Sequence, residues 1–149
     1  MKILIMGLPG SGKTYLAERL KERLKCAWFN ADEMRKMAND WEFSPQARMR
    51  QAYRMRNVAD FENEEHRDVI CDFVCPTPET RFVFDADFTI WMDTIKEGRF
   101  EDTNKAFVVP ESADVWVREF MKDSEIDQLA TVIQNFINDT NTEQMTLGL

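Results

Sequence analysis

The sequence predicts an α/β fold: a five-stranded parallel sheet flanked by helices in three layers. Three observations carry this expectation. Short apolar runs alternate with helix-patterned segments along the chain. The first run, Lys2 to Met6, passes directly into Gly7-Leu8-Pro9-Gly10-Ser11-Gly12-Lys13-Thr14, a full match to G-x-x-x-x-G-K-[ST]. Parallel strands joined by right-handed crossovers then leave few topologies open.

The elements follow in order. After the glycine-rich loop, Leu16, Ala17, Leu20 and Leu24 fall on one face of a helix, with Glu18, Arg19, Glu22 and Arg23 around the rest. Cys26 to Phe29 reads as a buried second strand, ending at Asn30-Ala31-Asp32-Glu33-Met34-Arg35, where polar residues begin. Ser44-Pro45 starts a helix, with Ser as cap and Pro at the first helical position, running to about Glu62. In it Arg48, Gln51 and Met55 share a face, while Arg50 and Arg56 read as solvated.

Asp68 to Val74 is the third expected strand. Pro76 and Pro78 force a turn before a short helix from Glu79 to Phe84, and Phe88 to Met92 is a fourth strand ending at Asp93. Thr94 to Pro110 is expected as a loop over a site. Val115 to Val117 is a short fifth strand. Ser124 is expected to cap the last helix, with Asp127 at the capping-box position and Ile126, Leu129, Ala130, Ile133 and Ile137 as its apolar stripe. From about Thr140 the tail is expected to be flexible.

At 149 residues the chain, 1–149, is expected to form one domain with a core that needs neither disulfide nor metal. A net charge of −8 argues against a broad nucleic-acid surface. No apolar segment approaches the roughly 20 residues of a membrane span, so a cytoplasmic protein without membrane partners is expected. Cys26, Cys71 and Cys75 form no C-x-x-C pair and lie in or beside apolar runs, so they are expected as reduced core thiols.

The glycine-rich loop carries the chemistry. Its glycines permit backbone angles at which successive N–H groups surround a phosphate chain, and the following helix adds its positive N-terminus. Gly7, Leu8, Pro9, Gly10, Ser11, Gly12, Lys13 and Thr14 are therefore the expected ATP-binding residues, with Lys13 reaching the β- and γ-phosphates. Thr14 would supply a ligand to Mg2+. Asp72, in the third apolar run, takes the place of a second acid that acts on the metal through water.

With these residues placed, the chain resembles the adenylylsulfate (APS) kinase family, small P-loop kinases that phosphorylate the ribose 3′-hydroxyl of adenylyl sulfate with MgATP. The likeness covers about three quarters of the chain. At the end of the second strand, Asn30-Ala31-Asp32-Glu33-Met34-Arg35 keeps the second acid and the arginine of the family pattern, while its first acid is replaced by Asn30. Phe43-Ser44 is followed by Arg48 at the family's spacing and by Gln51 where the family has Asn. Phe73-Val74-Cys75-Pro76 stands for Phe-Ile-Ser-Pro, with Arg81 five residues beyond the proline, and Phe100 stands ten residues before Pro110-Glu111.

The resemblance implies a P-loop kinase fold and gives these residues roles. Asp32 would sit beside the acceptor hydroxyl; Arg35, Arg48 and Gln51 would bind the substrate with Phe73, Val74 and Cys75; Phe43 and Phe100 would hold its base. Lys13, Asp32 and Arg35 would be the catalytic set, ATP and Mg2+ the cofactors, and a small nucleotide the partner, in a monomer or homodimer. The family's long lid is reduced here to Thr94-Ile95-Lys96-Glu97-Gly98-Arg99, in which Lys96 and Arg99 are the cations left to replace it. Polynucleotide 5′-hydroxyl kinases also place an Asp and an Arg three residues apart after strand two, so a nucleic-acid end or a hydroxymethyl base is an alternative acceptor. A nucleotide-binding module without transferase activity is a further one.

Overall fold

The computed structural model describes residues 1–146. Five strands, β1 (Lys2–Gly7), β2 (Ala27–Asn30), β3 (Val69–Asp72), β4 (Phe88–Met92) and β5 (Val115–Val117), form one sheet in the order β2-β3-β1-β4-β5. All four pairings are parallel. The five-stranded parallel sheet expected from the sequence is therefore present, as are the helical layers on its two faces.

Side chains alternate across a strand, so β1 feeds both layers. Ile3 and Ile5 pack with Leu16, Ala17 and Leu20 of α1 (Lys13–Leu24) and with Ile126, Ile133 and Ile137 of α6 (Asp123–Thr146). Leu4 and Met6 face the other way, onto Ala52, Met55 and Ala59 of α3 (Pro45–Glu64) and Phe84 of α4 (Pro78–Phe84). Buried Lys2 ties this second layer down: its ammonium bonds Asp60 on α3 at 2.8 Å and lies over the Phe84 ring.

Several boundaries differ from the sequence reading. The stretch after β2 is not a polar strand end but a helix, α2 (Ala31–Ala38), capped by Asn30, whose side chain accepts from the Glu33 N–H. The segment expected as a loop from Thr94 to Pro110 contains α5 (Glu101–Ala106). Strand β3 is confined to Val69–Asp72, because Cys75 takes a positive φ and the chain turns away. The last helix starts at Asp123, so Ser124 lies inside its first turn, and Glu125 instead accepts from the Lys122 N–H at 3.0 Å. That helix continues to Thr146, so the stretch from Thr140 expected as a flexible tail is helical as far as that residue; residues 147–149 of it lie outside the described residues. The three cysteines are free thiols, with Cys71 and Cys75 buried and Cys26 partly so. No helix among the described residues is long and apolar enough to cross a membrane.

Candidate active site

The site lies at the carboxyl edge of the sheet, where open parallel sheets bind ligands. Register explains its composition: Asn30 pairs with Asp72, Ile5 with Asp72 and Gly7 with Met92, so the ends of β1, β2 and β3 bring the glycine loop, Asn30 and Asp72 together.

The loop needs its glycines. A Cβ on Gly7 would stand 2.6 Å from the Met92 carbonyl oxygen, and Gly12 has φ +96° with the Phe120 ring 3.0 Å from where a Cβ would be. Helix α1 starts without a side-chain cap and without an acid in its first turn. Its first N–H groups are thus left for an anion, which the helix dipole favours.

A cavity of about 350 Å3 opens over this loop, lined by Pro9, Gly10, Gly12, Lys13, Thr14, Tyr15, Asn30, Ala31, Asp32, Asp72, Phe73, Val74 and Arg99. Lys13 donates to the Leu8 carbonyl at 2.9 Å, and burial pushes its pKa down to about 8 against the pull of Asp72 and Asp32. Asp72 is nearly enclosed. It accepts from Trp28 Nε1 at 2.7 Å and from Thr14 Oγ1 and Asn30 Nδ2 at 3.1 Å each. Burial pushes its pKa up to about 6, opposed first by the Trp28 bond.

The hydroxyl of Thr14 and the carboxylate of Asp72 are hard oxygen donors in contact, a set that suits Mg2+. Among the described residues no group of three or more His, Cys, Asp or Glu could hold a metal unaided. Asn30, standing where the resembled family has an acid, bonds Thr14 and Asp72 through its amide.

A second cavity, of about 200 Å3, adjoins the first. Pro9, Ala31, Phe73 and Val74 line both, and Arg35, Phe43, Arg48, Gln51, Cys75, Pro76, Phe100, Asp102 and Thr103 complete it. Every substrate residue named from the resemblance lines this second cavity except Asp32, which faces the first. Arg35 and Arg48 are 6% and 9% exposed, yet neither pairs with a carboxylate among the described residues. Arg35 donates to the Asp40 and Glu42 carbonyls at 3.1 and 3.0 Å, and Arg48 to the Phe43 carbonyl at 2.9 Å and Thr103 Oγ1 at 3.1 Å. Burial lowers both guanidinium pKa values. Both groups lie over the Phe43 ring, at 4.5 and 5.6 Å from its centre.

Two acids act on them from a distance: Asp102, which lines the same cavity, favours the charged form of Arg48, and Asp40 favours that of Arg35 while pairing with Arg50 at 2.8 Å and Arg54 at 2.9 Å, which holds its own carboxyl well below the usual range. Arg50 is therefore paired rather than merely solvated. Gln51 has a structural task, donating to the Ala31 carbonyl at 3.1 Å and accepting from Arg54. Of the two cations left in the shortened segment, Arg99 lines the first cavity and Lys96 lines neither.

Sequence reasoning missed Trp28, Tyr15, Asp102 and Thr103. The second strand gave Trp28 no mark beyond apolarity, and Thr103 was hidden inside a segment read as a loop.

The AAA domain family model matches residues 3–147. The chain belongs to that family. No curated protein sequence matches it significantly. Solved structures share its fold over nearly the full length. The crystal structure of APE1195 superposes with a TM-score of 0.79 at 19% identity, covering 91% of this chain and 95% of that one. The Mycobacterium tuberculosis APS kinase CysC, solved in complex with AMPPNP and APS, gives 0.70 at 18% identity, covering 92% and 96%. A gluconokinase from Sinorhizobium meliloti gives 0.68 at 14% identity, covering 96% of each. The fold is thus a P-loop kinase fold.

Proposed function

We propose that this chain is an ATP-dependent kinase that transfers the γ-phosphoryl group to a hydroxyl, with the 3′-hydroxyl of adenylyl sulfate as acceptor. One observation carries the reading. The cavity over the glycine-rich loop shares a wall with a cavity that holds two aromatic rings and two buried guanidinium groups that form no ion pair with a carboxylate among the described residues. A buried unpaired charge is costly, so an anion is the natural occupant of the second cavity. Arginine forks suit sulfate and phosphate, and Phe43 and Phe100 offer ring faces to a planar base.

The roles follow from placement. Gly7 to Thr14 bind the triphosphate, and Lys13, protonated near neutral pH, pairs with its terminal oxygens. Thr14 and Asp72 would hold Mg2+, which neutralises developing charge on those oxygens when bound. Asp32 faces the same cavity as Lys13 and accepts the proton of the acceptor hydroxyl. That oxygen bonds the γ-phosphorus while the bond to the β-phosphate oxygen breaks and ADP departs. Arg35 and Arg48 orient the acceptor, and most of the rate gain comes from this alignment and charge neutralisation.

Labelled ATP and Mg2+ offered with adenylyl sulfate, a 5′-hydroxyl oligonucleotide, hydroxymethylated DNA or no acceptor test the reading. Label is expected in adenylyl sulfate; label confined to the oligonucleotide would overturn the acceptor, and ATP binding without transfer or hydrolysis would overturn the kinase. Asp32→Ala is expected to bind ATP normally and lose transfer. The polynucleotide reading stands second because Phe43 and Phe100 remain 50% and 58% exposed, so both rings can be reached from solvent by the end of a larger acceptor.

A further inference from the structure

The shortened segment between β4 and α5 is fastened to the phosphate loop. Thr94 Oγ1 donates to the Ser11 carbonyl at 2.6 Å. A Cβ on Gly98 would stand 3.0 Å from the Pro9 carbonyl oxygen, so the backbone at Gly98 lies directly against the loop. Asn104, on α5, grips Gly98 from the far side. Its Oδ1 accepts the Gly98 N–H at 2.8 Å and its Nδ2 donates to the Gly98 carbonyl at 3.1 Å. The residue after Gly98 is Arg99, which lines the donor cavity with Lys13 and Asp32. The residue before Asn104 is Thr103, which accepts from Arg48 of the acceptor cavity.

We propose that Asn104 is a positioning residue: by clasping Gly98 it sets Arg99 at the mouth of the donor cavity as a fixed cation, so that the segment serves as a wall rather than a swinging lid. The proposal rests on the reading of the first cavity as a triphosphate site. A two-bond amide clasp removes backbone freedom at Gly98 that a guanidinium on an untethered loop would lose on binding. A preplaced Arg then contributes its full charge-assisted hydrogen bond to the terminal phosphates. Because Thr103 and Asn104 are consecutive on one short helix, the same element braces an arginine on each side of the shared wall.

The test is the ratio of affinities for MgATP and MgADP, measured by calorimetry in the wild type, Arg99→Ala, Asn104→Ala and the double variant. Arg99→Ala is expected to reduce the preference for ATP about tenfold, the scale of one hydrogen bond to a charged group. Asn104→Ala is expected to lose a similar factor although Arg99 is intact, and the double variant to lose no more than Arg99→Ala alone, since both act through one group. Hydrogen exchange in 94–99 is expected to rise in Asn104→Ala while peptides of β1 and α6 stay as in the wild type. Gly98→Ala, which crowds Pro9 without removing the amide, is expected to lower the same ratio. An Asn104→Ala protein with the wild-type ratio, or losses that add in the double variant, would overturn the proposal. A wild type that binds ATP yet phosphorylates no acceptor overturns the kinase reading separately, because the affinity ratio does not depend on transfer.

Discussion

The indole N–H of Trp28 donates to the carboxylate of Asp72 at 2.7 Å, from the strand next to its own. It is the shortest of the bonds that Asp72 accepts and the chief influence keeping that buried acid ionised. Trp28→Phe keeps an aromatic ring and removes the donor. We expect it to cost about 1 kcal/mol of stability and to raise the Mg2+ concentration needed for ATP binding. Chemical denaturation and a Mg2+ titration at fixed ATP check this; an unchanged Mg2+ midpoint counts against it.

Nucleotide binding should be linked to protons in opposite senses at two pH values. Lys13, with its pKa lowered to about 8, is partly deprotonated near that pH in the free protein, and a triphosphate favours its charged form. Binding of MgATP at pH 8 is therefore expected to take up about half a proton. Asp72, raised to about 6, is partly protonated near pH 6, and a bound cation favours its charged form, so binding there releases protons. Calorimetry in buffers of different ionisation enthalpy reads both. Lys13→Met should abolish the uptake and leave the release.

Arg35 and Arg48 predict a response to simple anions. Sulfate is expected to raise the melting temperature of the wild type beyond a chloride control of equal ionic strength, because it binds the folded state alone. Arg48→Met should lose a measurable part of that increment, the glycine loop and Arg35 keeping the rest, and bind the acceptor at least tenfold more weakly, while its own stability changes little, since the lost bonds to Phe43 and Thr103 are offset by relief of a buried charge. Equal sulfate effects in both proteins would remove Arg48 from anion binding.

The sheet was legible because each strand is a compact apolar run, and the bounds of β4 and β5 agree with the residues expected. The phosphate loop was legible because its glycines answer to a local steric demand. Helix α2 was not, since its apolar face of Ala31, Met34, Met37 and Ala38 is only eight residues long and its start is set by the Asn30 cap, while the sequence marks Asn30 only as a missing acid. Helix α5 was obscured by its length and by the charges of Glu101, Asp102 and Lys105. Trp28 bonds Asp72 across 44 positions of chain, a partnership that only strand register creates. The buried state of Arg48 likewise depends on Thr103, 55 positions away.

The wall shared by the two cavities consists of Pro9, Ala31, Phe73 and Val74, none of which carries a nucleophile. Cys75, the one thiol beside it, is held protonated, its pKa pushed up to about 12 by burial. On the proposed reading, in which Asp32 takes the acceptor's proton and not the phosphoryl group, that group passes from donor to acceptor in one displacement, with no covalent stop on the protein. A γ-thiophosphate made chiral with oxygen isotopes would emerge with its handedness reversed.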